Sequence, residues 1–250
     1  MPGPVITRAL VARLVDYGEA DRVCTLICEG PGKVSALARG ARSSRRRFGG
    51  ALGPFVLGEA ALKTPRRGEL WSVERFESLE DLGRGIAGDV VKLAHGSYVL
   101  ELARELSPPG VPEPEVFALV LEVLRAFEGR PPSPTLLRCY ELRLLEALGV
   151  APELEACTVC GGAAEEEPVA FSLRQGGVVC GRCSGEGLQV PGAALSLLRA
   201  LRRAPAEEAA RLQPEASAAR GARELMLHVV RQHLTGELKS LAFITQLAGR

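Results

Sequence analysis

Aromatic residues are scarce in this chain of 250 residues, at 4% of the total, so a ligand surface built by stacking has few side chains to draw on. Histidine is scarcer, with three in all. His95 is isolated, while His228 and His233 stand five apart in an expected helix, a spacing that does not share one metal-facing side. His233 falls in register with Leu225, Met226 and Val230, which predicts a hydrogen-bonded core position. No apolar run approaches the ~18 residues that span a bilayer, so no membrane partner is expected. The opening MPGPVITRAL lacks a basic region followed by an apolar core, which excludes a secretory signal and implies a cytoplasmic location. G-x-S-x-G and H-E-x-x-H are absent, and no carboxylate cluster suggests Mg²⁺. Gly30-Pro31-Gly32-Lys33-Val34-Ser35 lacks the first glycine and the hydroxyl of a phosphate loop, and Ser35 replaces the last glycine of a dinucleotide motif. With no acid/base or nucleophile set, the chain is not expected to be an enzyme.

The formal net charge of +1 conceals an asymmetry. Residues 1–72 carry 12 Lys/Arg against 6 Asp/Glu, a balance of +6, and the remainder carries −5. A basic first segment points to a polyanion as partner. Seven cysteines, an odd number with no secretory signal, argue against a disulfide framework.

Short, β-rich stretches at residues 5–15, 23–28, 33–41, 55–63 and 70–76 are separated by turn signals at Asp16-Tyr17-Gly18, Gly30-Pro31-Gly32, Gly49-Gly50 and Thr64-Pro65-Arg66-Arg67-Gly68. Five strands in so few residues favour a closed barrel, because closure removes exposed edges. An OB-type barrel is the natural candidate, and an SH3-like barrel is the alternative. From Ser78, paired with Asp81 as a capping signal, the period becomes helical. Helices are predicted over residues 86–106, 113–128 and from Ser133-Pro134 to Gly149, linked tightly enough to pack as a bundle. A Cys- and Gly-rich knuckle follows, then helices at 192–203, 214–235 and 238–247. The expected fold is α+β with four segments: an OB-fold at 1–77, a helical domain at 78–154, an inserted four-cysteine zinc ribbon at 155–188, and C-terminal helices at 189–250 that pack with the helical domain.

Cys157-Thr158-Val159-Cys160 and Cys180-Gly181-Arg182-Cys183 are two C-x-x-C units. Each presents two thiolates on one tight turn, and two such turns complete a tetrahedron of sulfur around Zn²⁺. Gly161, Gly162 and Gly181 let the backbone curl so that amides point at sulfur. A thioredoxin-like dithiol wants a βαβ unit, and a ferredoxin cluster a different spacing. Four thiolates close the coordination shell, which favours structural over catalytic zinc. Cys24, Cys28 and Cys139 sit in apolar-periodic positions and read as small core residues.

The stretch from Lys33 to Gly50 holds Lys33, Arg39, Arg42, Arg45, Arg46 and Arg47 and no acid. Set between strands, these residues would be presented by a rigid scaffold, and guanidinium forks suit phosphate oxygens. Lys63, Arg66 and Arg67 can extend the patch. Such binding would be salt-sensitive and weakly sequence-selective. Tyr17, Phe48, Phe55 and Trp71 are the available stacking platforms; Phe48 adjoins the arginines, although packing inside the barrel is its expected fate.

Three segments taken together resemble the bacterial RecO family: Asp16-Tyr17-Gly18-Glu19-Ala20-Asp21-Arg22, residues 32–42 from Gly32 to Arg42, and Arg47-Phe48-Gly49-Gly50-Ala51-Leu52 with Pro54-Phe55. Downstream, Tyr140-Glu141-Leu142-Arg143-Leu144-Leu145 ahead of Gly149, and then the cysteine quartet, are similar to that family in order. The resemblance implies an N-terminal OB-fold, a helical domain and a zinc element. It implies binding of single- and double-stranded DNA and strand annealing in a bacterial, nucleoid-associated setting. RecR, the C-terminal tail of single-stranded DNA-binding protein and, indirectly, RecA are the implied partners. It also supports DNA contacts at Lys33, Arg39, Arg42 and Arg45–Arg47. No motif places the tail-binding groove, and the helices from Ile86 to Leu148 are where it is first sought. The competing reading of the residues is a zinc-ribbon adaptor for protein partners in transcription or RNA processing.

Overall fold

The computed structural model describes residues 3–48, 52–65, 67–164, 169–183 and 187–248. The strands are β1 (Val5–Tyr17), β2 (Asp21–Cys28), β3 (Gly32–Ala38), β4 (Val56–Lys63), β5 (Trp71–Asp81), β6 (Val169–Ser172), β7 (Gly177–Val179) and β8 (Leu188–Val190). The helices are α1 (Arg45–Phe48), α2 (Gly83–Ile86), α3 (Val90–Leu106), α4 (Pro114–Gly129), α5 (Pro134–Ala147), α6 (Gly192–Arg203), α7 (Ala206–Ala209), α8 (Ala216–Gln232) and α9 (Lys239–Ala248). Among the described residues no helix is long and apolar enough to cross a membrane. The chain forms two compact units, residues 1–131 with 238–250, and residues 132–237.

In the first unit the five strands close into a barrel in the order β1-β2-β3-β5-β4, with β1 pairing both β2 and β4. This is the expected OB-type barrel. Small and aliphatic residues at alternate positions, including Ala9, Val11, Leu26, Val34, Ala36, Ala60, Leu62 and Val73, fill its interior with Phe48 and Phe76. A bulge between Val11 and Arg13 divides β1. Before it, Leu10 pairs Ile27 and Leu57, and all three are buried although they lie outside the barrel core, where α3 packs on β1 and α4 on β2. Beyond it, Leu14 packs inward while Arg13, Val15 and Tyr17 are exposed.

Ser78 does not begin a helix. It pairs with Gly58 inside β5, and the helical stretch is capped further on by Asp89, whose carboxylate accepts from the amides of Val91 (2.8 Å) and Lys92 (3.1 Å). The connection after α3 lies against the β2–β3 turn. Gly32 has φ +69°, and a Cβ there would come 1.7 Å from the carbonyl oxygen of Val111. α9 packs on α3, where Glu101 accepts from the Ser240 amide at 2.8 Å.

The second unit gathers α5, α6, α7 and α8 around the cysteine element. Ser133 caps α5 as its sequence predicts, accepting from the Leu136 amide at 3.1 Å with Pro134 in the first turn. The expected three-helix bundle is divided: α3 and α4 belong to the first unit and α5 to the second. Helix α5 is buried continuously from Thr135 to Leu142, and its partners are α6, α7 and α8. Its Arg138 and Glu141 form a buried ion pair. Gly221 of α8 permits a close crossing of α6, since a Cβ there would sit 2.9 Å from that of Ala194. His233 is exposed at the end of α8 rather than in the core, because the helix stops one residue before it.

Replacing Gly32 by Ala should destabilise the barrel by about 2 kcal/mol or more, combining a left-handed backbone with a backbone clash. Urea unfolding followed by the fluorescence of Trp71, the single tryptophan and part of β5, measures it.

Candidate nucleic-acid interface and metal centre

The short parallel pairing of β3 with β5 places Leu37 opposite Ser72, and the β4–β5 pairing places Lys63 opposite the same Ser72. Residues far apart in sequence thus meet on the outer barrel wall. Arg39, Arg47 and Lys63 line one hollow of about 420 Å³ together with Leu37, Ser72, Val73 and Glu74. All three cationic side chains are exposed. Lys63 lies 3.7 Å from Glu74, an exposed pair of little energetic weight. Arg47 is held in place: its guanidinium donates to the carbonyl of Arg39 at 2.6 Å and sits 5.3 Å from the ring of Phe48, itself buried.

The turn after β3 is pinned to the β1–β2 tip. The Gly40 amide donates to the Asp21 carboxylate at 2.7 Å, and Arg42 donates to the carbonyls of Ala20 (backbone, 3.1 Å) and Glu19 (side chain, 3.0 Å). Arg42 and Arg67 are exposed on the same unit. Arg45 and Arg46 belong to α1, but their side chains, like Arg66 and the Gly49-Gly50 turn, lie outside the described residues. Lys33 stands apart from the hollow. Its ammonium donates at 2.6 Å to the carbonyl of Arg104 in the last turn of α3, a helix end that favours a cation. Burial pushes the Lys33 ammonium below its ordinary value, with Glu105 acting in the opposite sense.

In the second unit, the sulfurs of Cys157, Cys160, Cys180 and Cys183 all lie within 4.8 Å of one another. Cys160 and Cys180 are 3.8 Å apart, close to the roughly 3.8 Å edge of a tetrahedron with metal–sulfur bonds of about 2.3 Å. Each pair rides a tight turn: the Cys157 carbonyl accepts from Gly161 (2.8 Å), which has φ +72°, and the Cys180 carbonyl accepts from Cys183 (2.9 Å). The residues between the pairs form the expected hairpin, β6 with β7, and β8 adds a third strand in the order β7-β6-β8. Amides of Cys180 and Cys160 aimed at the Cys157 sulfur hold its thiol down at about 6, and the Cys183 amide lowers Cys180. Cys183 is pushed up to about 12 by the crowded sulfurs of Cys160 and Cys180. A cation at the centre would remove that crowding by pairing with all four, so the donor set fits a metal ion.

Arg199 of α6 is a supporting residue that sequence pattern did not reveal. Its guanidinium donates to the carbonyls of Leu154 (2.8 Å) and Ala164 (3.3 Å), which bracket the first cysteine pair, and meets the Glu155 carboxylate at 3.3 Å. Gln232 of α8 donates to the Leu173 carbonyl at 2.8 Å, fastening the hairpin from the other end. The remaining cysteines are structural: Cys24, Cys28 and Cys139 are buried, and burial drives the thiols of Cys24 and Cys28 strongly up.

A closed OB-type barrel with a basic outer hollow, and a helical unit carrying a four-thiolate metal-type site, define the class of protein. Profiles of known families agree: that for the N-terminal part of recombination protein O matches residues 1–81, and that for its C-terminal part matches residues 87–242. The chain is 40% identical over 241 residues to the DNA repair protein RecO of Anaeromyxobacter dehalogenans strain 2CP-C, covering 95% of this chain and 94% of the relative. It is 39% identical to the Myxococcus xanthus DNA repair protein RecO, covering 96% of each, and 33% identical to that of Geobacter sulfurreducens, covering 98% of each. The chain belongs to the RecO family of DNA repair proteins.

Changing Cys157 and Cys160 together to Ser should reduce bound metal from about one equivalent to almost none and lower the thermal midpoint. Atomic absorption on the purified variant, beside a melt, measures both; full metal content would refute the ligand set.

Proposed function

We propose that this chain is a non-enzymatic recombination mediator that binds single- and double-stranded DNA on the outer wall of its barrel and anneals complementary strands. The observation that carries the reading is the convergence of Arg39, Arg47 and Lys63 on one exposed hollow in a chain of the RecO family. Arg42, Arg67 and the arginines Arg45, Arg46 and Arg66 extend the same reading along the basic loops. Lys33 contributes by holding the barrel against the end of α3. Cationic side chains lower the mutual repulsion of two phosphate backbones and release their counterions, so annealing needs no chemical step. The quartet Cys157, Cys160, Cys180 and Cys183 would hold Zn²⁺, a closed shell of four thiolates whose contribution is to the fold of its unit.

RecR, the C-terminal tail of single-stranded DNA-binding protein and, through them, RecA are the partners in this reading, in the cytoplasm at the nucleoid. A groove of about 340 Å³ between α5, α6 and α8 suits an acidic chain end: Pro134, Leu197, Ala216 and Ala219 give it an apolar lining, and Arg138, Arg220 and Arg223 rim it. Arg138 is buried and paired with Glu141, with its Nε lacking a hydrogen-bond partner, so the exposed Arg220 and Arg223 supply the groove's accessible charge. We assign the tail to this groove, where α5 meets the C-terminal helices, rather than to residues 86–148 alone.

Replacing Arg39, Arg47 and Lys63 together by Ala should weaken DNA binding and flatten the dependence of log affinity on log salt by about 2–3, at roughly 0.7–0.9 for each phosphate no longer neutralised. Fluorescence anisotropy with labelled oligonucleotides at several salt concentrations reads this directly, and an unchanged slope would move the interface elsewhere. For the groove, Arg220→Glu with Arg223→Glu should abolish binding of a labelled tail peptide while leaving DNA affinity intact. Retained peptide binding would exclude that site.

A further inference from the structure

We infer that Tyr17, at the tip of the β1–β2 hairpin, is a stacking platform for an unpaired nucleobase and gives the barrel its means of distinguishing single strands from duplex. The inference rests on the DNA-binding reading of the barrel and adds a contact of a different chemistry.

The barrel has few aromatic side chains, and the structure disposes of most of them. Phe48, Phe55 and Phe76 are buried, at 1%, 5% and 2% exposure, and Trp71 is half-buried. Tyr17 is 62% exposed. An aromatic ring so exposed on a strand is open to a flat partner.

Its position follows from the bulge at Val11/Arg13. Past that point the alternate residues Arg13, Val15 and Tyr17 lie on the outer wall, while Leu14 packs inward opposite Cys24. Val15 pairs with Val23, and Val23 pairs with Leu37, which lines the basic hollow. One outward-facing strip of wall, exposed at Val15 and half-buried at Val23 and Leu37, therefore runs from β1 to the hollow. Two strand spacings separate its ends, roughly 10 Å, a distance that a flexible single strand crosses within a few nucleotides. Tyr17 pairs with Asp21, and the Asp21 carboxylate accepts from the Gly40 amide, so the turn carrying Arg39 and Arg42 is tied to the same hairpin tip.

Charge decides which part of the nucleic acid meets the ring. The hairpin tip carries Asp16, Glu19 and Asp21, with Asp16 paired to Arg22 at 2.9 Å and Asp21 engaged by Gly40. Carboxylates repel phosphate, whereas the hollow attracts it. A strand lying with its backbone along Arg39, Arg47 and Lys63 would set phosphate at the hollow and leave a base free to reach the tip. Every unpaired base offers a π-face, so the contact is tolerant of sequence. In duplex DNA the faces are occupied by neighbouring base pairs, and Tyr17 has nothing to take.

The test compares Tyr17→Ala and Tyr17→Phe with the unaltered full-length protein, using a fluorescein-labelled oligothymidylate and a labelled duplex. Tyr17→Ala should bind the oligothymidylate about tenfold more weakly, bind the duplex as before, and keep the same salt slope; Tyr17→Phe should match the unaltered protein. Tyr17 is exposed, so the melting curves of both variants should coincide with that of the unaltered protein. Equal weakening toward both DNAs, no weakening at all, or failure of Phe to substitute would overturn the inference while leaving the basic hollow standing. Absence of DNA binding by the unaltered protein would instead remove the DNA-binding reading, and this inference with it.

Discussion

Two residue pairs, Ala36 with Trp71 and Leu37 with Ser72, close the barrel, and the arrangement of its outer wall depends on them. An open β1-β2-β3 sheet would expose an edge of unpaired amides and carbonyls along β3. Closure satisfies that edge with β5 and draws β4 along with it, since Lys63 pairs across the same Ser72. Arg39 and Lys63 come together for this reason and no other. Their mutual repulsion is tolerable because both heads stay in water, and it is the same repulsion that makes the hollow attractive to a polyanion. Arg47 joins them because Phe48, its neighbour in α1, is fixed in the core and anchors the short helix against the wall.

The second unit solves a related problem of like charges. Four sulfurs within a few ångströms cannot all be thiolates unless something compensates them. Amides of the two turns do part of this for Cys157 and Cys180, while Cys183 remains unfavourable as an anion. Around the sulfurs the buried cluster is small, Val179 with the cysteines, while Val169, Ala170, Phe171 and Val178 of the hairpin are buried as well. Polar attachments add to this: Arg199 grips the backbone on either side of the first pair, and Gln232 holds the hairpin. A metal ion bound by the four sulfurs would add to this burial and to the polar grips of two helices in holding the element together.

Features written in neighbouring residues were legible in advance. The cysteine pairs, the Ser133-Pro134 start of α5, the span of α6 and the five-strand barrel all rest on short spacings and local turn chemistry. Two expectations failed for different reasons. Ser78 carries a good cap signal, yet its backbone pairs with Gly58, a strand partner distant in sequence that outweighs a local cap preference of about 1 kcal/mol. His233 keeps the apolar register, yet the helix has already ended.

The amino-acid sequence by itself determined the class of fold, the four candidate metal ligands, the basic character of the N-terminal region and its likeness to the RecO family. These follow from periodicity, spacing and charge, which need no knowledge of how the chain folds back on itself. Tertiary structure alone decided which cations share a hollow, that Lys33 is not among them, that α5 belongs to a different unit from α3 and α4, and that Tyr17 stands exposed. Those outcomes depend on strand register and helix docking, where a shift of one residue turns a side chain to the opposite face.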